Sequence, residues 1–178
     1  MANYTAADVK TLRERSGAGM MDCKSALDEA NGDLDKAMEV LRLKGLKGVT
    51  KREGRTTSNG LIVARVSGGT GTLIELACET DFVAKAENFI ALADAVADAI
   101  VAAGATDVES ALAAKHGNAT VADAITDQAA ILGEKVELRK VATVSASGVD
   151  AYLHRTSRDL PPQVGVLVAF EGADAETA

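Results

Sequence analysis

The sequence predicts an α+β protein in which a small N-terminal three-helix module precedes a core of antiparallel sheet and helices. Three observations lead there. Up to Gly45, apolar residues recur at helical spacing between capping residues. Beyond Asn59, two stretches alternate as strands around Gly-rich or Pro-rich turns, the pattern of hairpins. The charge also divides: residues 1–58 carry 11 basic and 9 acidic side chains, and the remainder 8 and 17, so two modules of different character are expected.

The first helix is capped by Thr5, with Asp8 in the position of a reciprocal capping acid. Val9, Leu12 and the stem of Arg13 share one face, and Gly17-Ala18-Gly19 ends it. A second short helix starts at about Asp22, and Met20, Met21, Ala26, Leu27 and Ala30 are expected as its apolar residues. Asn31-Gly32-Asp33 forms a turn and a new cap. Leu34, Ala37, Met38 and Leu41 set the face of a third helix, which Lys44-Gly45 closes. The basic, Gly-containing stretch 46–58 reads as a linker, partly helical. Leu61–Val66 and Thr72–Cys78 are strands around the turn Ser67–Gly71. Thr80 caps the next helix, whose apolar stripe (Phe82, Val83, Phe89, Ile90, Leu92, Ala93, Val96, Ala97, Ile100, Val101) runs to Gly104. Weaker helices are expected at 107–115 and 120–132, a strand at 135–145, and a second hairpin from Val149–His154 and Gln163–Phe170 around Pro161-Pro162.

Gly71-Thr-Leu-Ile-Glu-Leu76 matches Gly165-Val-Leu-Val-Ala-Phe170, and Asn59-Gly60 matches Ser147-Gly148, so the hairpins read as a repeat. A long helix follows the first copy only, and the second unit is expected to be incomplete. The expected partition is 1–45 for the helical module, 46–58 for the linker, 59–145 for a first core subdomain, and 146–178 for the opening hairpin of a second.

Composition narrows the function. The 178 residues carry a net charge of −7 and 47% apolar residues, with no Trp. Aliphatic and Ala packing must form the core. Nucleic acid is disfavoured as a direct partner, because phosphate binding needs clustered Lys and Arg. Cys23 and Cys78 lack CxxC spacing and are expected as reduced thiols of a cytoplasmic protein. Residues 1–8 lack the basic and apolar regions of a signal peptide, and no apolar run is long enough to span a membrane.

Few motifs suggest chemistry. Gly17-Ala18-Gly19 and Gly68-Gly69-Thr70-Gly71 lack the remaining residues of a phosphate-binding or dinucleotide-binding loop and read as turns. Cys78 with His116 or His154 would make a thiol–base pair, but a buried strand cysteine accounts for it better. No metal-ligand spacing occurs. His154, at a strand end, reads as an exposed edge residue. Cys78-Glu-Thr-Asp-Phe-Val-Ala-Lys85 stands out, because it puts an acid and a large aromatic at a strand–helix junction. Two readings remain open there. In one, Asp81 favours the helix dipole and Phe82 is the first core residue. In the other, Asp81 and Phe82 protrude as a wedge that enters a partner.

The stretch Val9-Lys-x-Leu-Arg-Glu-Arg-Ser-Gly-Ala-Gly-Met-Met-Asp-Cys-Lys24, the segment Cys78–Lys85 and Leu132-Gly-Glu-Lys-Val-Glu-Leu-Arg139 together resemble, in order, the signatures of the bacterial elongation factor Ts family. The resemblance implies a ubiquitin-associated-like N-terminal module joined to an α+β core. It also implies a guanine nucleotide exchange factor with no catalytic chemistry or cofactor of its own, acting in translation. Its partner would be the GTPase elongation factor Tu, with no direct nucleic acid, membrane or small-molecule substrate. Asp81 and Phe82, flanked in the same signature by Thr80 and Val83, resemble residues that push into the GTPase domain near its Mg²⁺ site. Disturbing that site weakens the phosphate contacts and releases GDP. Factor and nucleotide would then weaken each other's binding by the same factor. Leu12 and Lys24 resemble contacts of the N-terminal module. Arg52 stands where the family more usually has a basic Lys contact, Leu132 and Gly133 resemble a core contact, and His154 resembles a partner-touching histidine of the second subdomain. Two rival classes are a generic ubiquitin-like-binding scaffold, which leaves the Thr80-Asp81-Phe82 motif unexplained, and a thiol enzyme using Cys78.

Overall fold

The computed structural model describes residues 3–172. The first residues of the segment tested for a signal peptide, and those after Gly172 where the second unit was expected to stop, lie outside the described residues. The fold is α+β with antiparallel sheets. It divides into two compact units, one formed by the chain up to Gly54 together with Thr126–Lys135, the other by Arg55–Ile125 and the chain from Val136.

The first unit holds α1 (Ala6–Ser16), α2 (Met20–Glu29) and α3 (Leu34–Arg52). The Thr5 hydroxyl accepts from the Asp8 amide while the Asp8 carboxylate accepts from the Thr5 amide. Two of the amides that a helix start leaves unpaired are thus satisfied. Gly17, at φ 68°, ends the helix in the left-handed conformation that glycine adopts without strain. Asp33 caps α3 by accepting from the amides of Asp35 and Lys36, both at 3.0 Å. Leu12, Cys23, Ala26, Leu27, Ala30 and Ala37 form the buried centre, with Tyr4, Val9, Leu34, Met38 and Leu41 packed around it.

Two expectations change in this unit. Helix α2 starts at Met20, because Gly19 takes the N-cap position in extended conformation. Helix α3 does not close at Lys44-Gly45 but continues to Arg52. Its two glycines serve close approach instead of termination. A Cβ on Gly45 would stand 2.7 Å from the Ala130 methyl, and one on Gly48 2.8 Å from the Arg52 guanidinium. Most of the stretch expected as a linker is therefore helix.

In the second unit, β1 (Asn59–Ser67) and β2 (Thr70–Cys78) form a hairpin around Gly68-Gly69, and β5 (Val136–Ser145) adds to β2. The antiparallel order is β1-β2-β5. Residues 55–58 belong to this unit: Arg139 donates to the carbonyl and hydroxyl of Thr57, and Arg55 pairs with Glu79 at 3.2 Å. Cross-strand neighbours Leu61↔Leu76 and Val63↔Ile74 bring buried aliphatics to one face. There α5 (Glu87–Ala103) lays down Phe89, Leu92, Ala93, Val96, Ala97 and Ile100. The other face carries Gly71, Leu73 and Ile62. The hairpin of β6 (Gly148–His154) and β7 (Val164–Phe170) stacks on it. A Cβ on Gly71 would lie 2.6 Å from Val149 Cγ1, so only glycine admits that stacking.

The stripe expected as one helix is two. Helix α4 (Asp81–Ala84) ends at Lys85, and Ala86 caps α5 anew, accepting the amides of Phe89 and Ile90, each at 3.0 Å. Between α5 and β5 lie α6 (Val108–Ala113), an unforeseen two-residue ladder of β3 (Lys115–His116) with β4 (Ala119–Thr120), and α7 (Val121–Leu132). Among the described residues, no helix is long and apolar enough to cross a membrane.

Candidate partner-binding site

Helix α4 turns on a few local bonds. Thr80 is extended, and its hydroxyl accepts from the Val83 amide at 3.4 Å. The Cys78 thiol donates to the Thr80 carbonyl at 3.3 Å. Asn59 Nδ2 donates to the neighbouring Glu79 carbonyl at 2.9 Å, tying the junction to the start of β1. Val83 and Ala84 bury beneath the turn, which forces Asp81 and Phe82 outward. Asp81 is half-buried, and Phe82 is 73% exposed. The reading of Phe82 as the first core residue of a long helix is thereby corrected, because the break at Lys85-Ala86 takes it out of register with the α5 stripe.

Exposure of that ring has no stabilising explanation. Burying a Phe is worth about 1.5–3 kcal/mol. Lys85, whose Nζ sits 4.5 Å from the ring centroid, returns about 0.5–1 kcal/mol at an exposed site. The same ammonium lies 3.5 Å from Asp81 Oδ2. Lys85 therefore holds both protruding side chains. The sequence contained that signal, since Lys85 stands three residues after Phe82 and four after Asp81 on a helical turn.

Cys78 is fully buried, and its thiol is occupied by Thr80. A thiol nucleophile needs a partly exposed, electropositive setting, which this is not. His154 is exposed at the end of β6, where its Nδ1 lies 3.0 Å from the Tyr152 hydroxyl. Tyr152, Val164 and Val166 share its outward face by register and are exposed. Sequence reasoning missed this apolar surround. Among the described residues, no group of three or more His, Cys, Asp or Glu could hold a metal ion.

The first unit sorts its candidates differently. Leu12 is 0% exposed in the helical core, so it supports the module and cannot itself touch a partner. Lys24 is exposed on α2. Arg52, Leu132 and Gly133, far apart in sequence, line one cavity of about 690 Å³ with the Gly17–Gly19 loop. Arg52 Nη1 is buried there without a hydrogen-bond partner. Met20 and Met21, expected with Ala26, Leu27 and Ala30 among the apolar residues of α2, are instead both well exposed, while those three alanine and leucine side chains are buried. The capping carboxylates of Asp8 and Asp33 are held below the usual carboxylate range, chiefly by the Thr5 and Lys36 amides respectively.

Comparison with known proteins gives the chain's relatives. The chain is 61% identical to elongation factor Ts of Micrococcus luteus over 180 residues, covering all of this chain and 65% of that protein. It is 62% identical to those of Leifsonia xyli subsp. xyli and Clavibacter michiganensis subsp. michiganensis, again over all of this chain and 65% of each. The chain thus spans somewhat less than two thirds of the length of these relatives. The family model for elongation factor TS matches residues 79–178, from the residue before the Thr80 cap onward. This chain belongs to the elongation factor Ts family.

Proposed function

We propose that this chain is a translation factor that binds elongation factor Tu carrying GDP and promotes GDP release without covalent chemistry of its own. Asp81 and Phe82 enter the GTPase near its Mg²⁺ and nucleotide site. The observation that carries this reading is the exposed Phe82 ring beside Asp81, on a capped turn rooted in buried Cys78, Val83 and Ala84. A rigid root matters because the wedge must retain its shape while displacing groups in the partner. Thr80 and Val83 hold the turn. Lys24, Arg52, Leu132, Gly133 and His154 are the accessory contacts, and Leu12 acts only through the fold of the module. The N-terminal helices form a ubiquitin-associated-like module, and β6–β7 opens a second unit of the kind that β1–β2 opens. The setting is the cytoplasm.

The test is stopped-flow release of a fluorescent GDP from elongation factor Tu, with and without the 178-residue chain. Acceleration is expected, and Phe82→Ala should remove most of it while far-UV circular dichroism is unchanged. Equal acceleration by Phe82→Ala would sink the wedge. A second reading, a scaffold that binds a ubiquitin-like protein, draws on the exposed Met20 and Met21. It requires that Met20→Ser with Met21→Ser abolish all partner binding.

A further inference from the structure

A cleft of about 330 Å³ opens in the second unit between β1, α5 and the loop 155–163. Its apolar lining is Leu61 and Val63 of β1, Ile90 of α5, and Leu160, Pro161 and Pro162 of the loop, and its charged lining is four cations against the two carboxylates Asp94 and Asp159. The loop is fastened and not merely draped. Ile62 N donates to the Pro162 carbonyl at 2.8 Å, and Gln163 N to the His154 carbonyl at 3.1 Å. Asp159 N donates to Ser157 Oγ at 3.4 Å, and the Thr156 hydroxyl bonds Gln163 Oε1. The cations at this cleft differ in how they are engaged. Arg65 is held by Asp94 and Asp98 at 2.8 and 2.7 Å, and Lys85 by Asp81. Arg155 and Arg158, which also line it, have no carboxylate partner among the described residues.

Two guanidinium groups without a carboxylate partner among the described residues thus stand together on one braced loop at this cleft. Lys85 belongs both to this cleft and to the wedge, so the two surfaces are continuous. We propose that the cleft is a second docking element for the protein the wedge engages, and that it takes an acidic segment whose carboxylate meets Arg155 and Arg158 while an adjoining apolar side chain enters between β1 and the prolines. Guanidinium matches carboxylate geometry in a bidentate way and desolvates more readily than an ammonium. Since the loop is already ordered, little entropy is lost on docking. The inference rests on the wedge reading for the identity of the partner.

Cations at the rim of an interface act mainly on association rate and on its salt dependence. The experiment compares the chain, Arg155→Glu/Arg158→Glu and Phe82→Ala by stopped-flow association with elongation factor Tu carrying GDP, from low salt to about 0.5 M salt, where the Debye length falls to roughly 4–5 Å. We expect the double charge reversal to slow association about tenfold at low salt, with the gap closing as salt rises. Phe82→Ala should keep the salt dependence of the parent chain. Arg155→Lys/Arg158→Lys, which retains the charge, should recover most of the low-salt rate. Unchanged association of the double reversal at low salt, with Phe82→Ala still impaired in GDP release, overturns the cleft and leaves the wedge standing. If Phe82→Ala also releases GDP like the parent chain, the wedge reading falls and the cleft loses its partner with it.

Discussion

Phe82 and Phe89 are seven residues apart, a spacing that puts both on one face of a continuous helix. One is mostly exposed and the other fully buried. The difference comes from Lys85-Ala86, where the chain leaves α4 and restarts as α5. Leu12 and Lys24 make a similar contrast in the first unit. Both stand at positions that resemble family contacts, but only Lys24 reaches the surface. Leu12→Ala should therefore cost about 2–5 kcal/mol of stability, as core truncations do. Lys24→Ala should leave the melting temperature within about 2 °C, since surface changes stay within roughly 0.5 kcal/mol. Thermal melts of the two variants check this, and a Leu12→Ala variant as stable as the parent would place Leu12 outside the core. Sequence reasoning treated the two alike because a motif reports residue type and not burial.

At the scale of the element, the caps were legible in the sequence and the lengths of the helices were not. Thr5, Asp33, Thr80 and Gly17 act where their short polar side chains or missing Cβ direct them, through bonds made within four residues. These bonds carry a pH signature. Asp8 and Asp33 have depressed pKa values in the folded chain, chiefly from accepting the Thr5 and Lys36 amides. Their contribution is complete above the unfolded carboxylate value near 3.8 and is lost as pH falls through the lower folded values. Helicity at 222 nm should thus be flat from pH 7 to about 5 and decline below about 4. In Asp8→Asn/Asp33→Asn, whose side chains do not titrate, the decline should be shallower. An identical acid transition in the double variant would mean that other carboxylates govern it. Helix α3 shows the opposite case. Its glycines look like stops, yet the helix passes through both, and at Gly45 the Ala130 methyl and carbonyl occupy the space that a Cβ would take.

At the scale of the molecule, the first unit is discontinuous in sequence. Residues Thr126–Lys135 belong with the first 54. Ala130 lies against Gly45, and Asp127 pairs with Arg42 at 3.3 Å. A peptide of residues 1–54 retains the buried cluster around Leu12 and Leu27 but loses those contacts. It should fold with a lower melting temperature than the unit has in the full chain, and the end of α3, past Gly45, should fray first. Amide exchange in residues 46–52 measures this. Equal protection in peptide and chain would show that α3 needs nothing from residues 126–135.

The class of fold, the two hairpins, the capped helical module and the strand–helix junction that carries Asp81 and Phe82 could all be read from the sequence. Each of these rests on local chemistry: apolar period, turn residues, and caps reaching three positions along the chain. Tertiary structure alone decided which candidates face outward, because burial depends on what arrives from elsewhere in the chain. It buried Leu12, raised Phe82 above the sheet, gathered Arg52, Leu132 and Gly133 around one cavity, and set Lys85 beside the braced loop of Arg155 and Arg158. Those juxtapositions join residues up to about eighty positions apart, and no periodicity or motif within one segment encodes a contact at that separation.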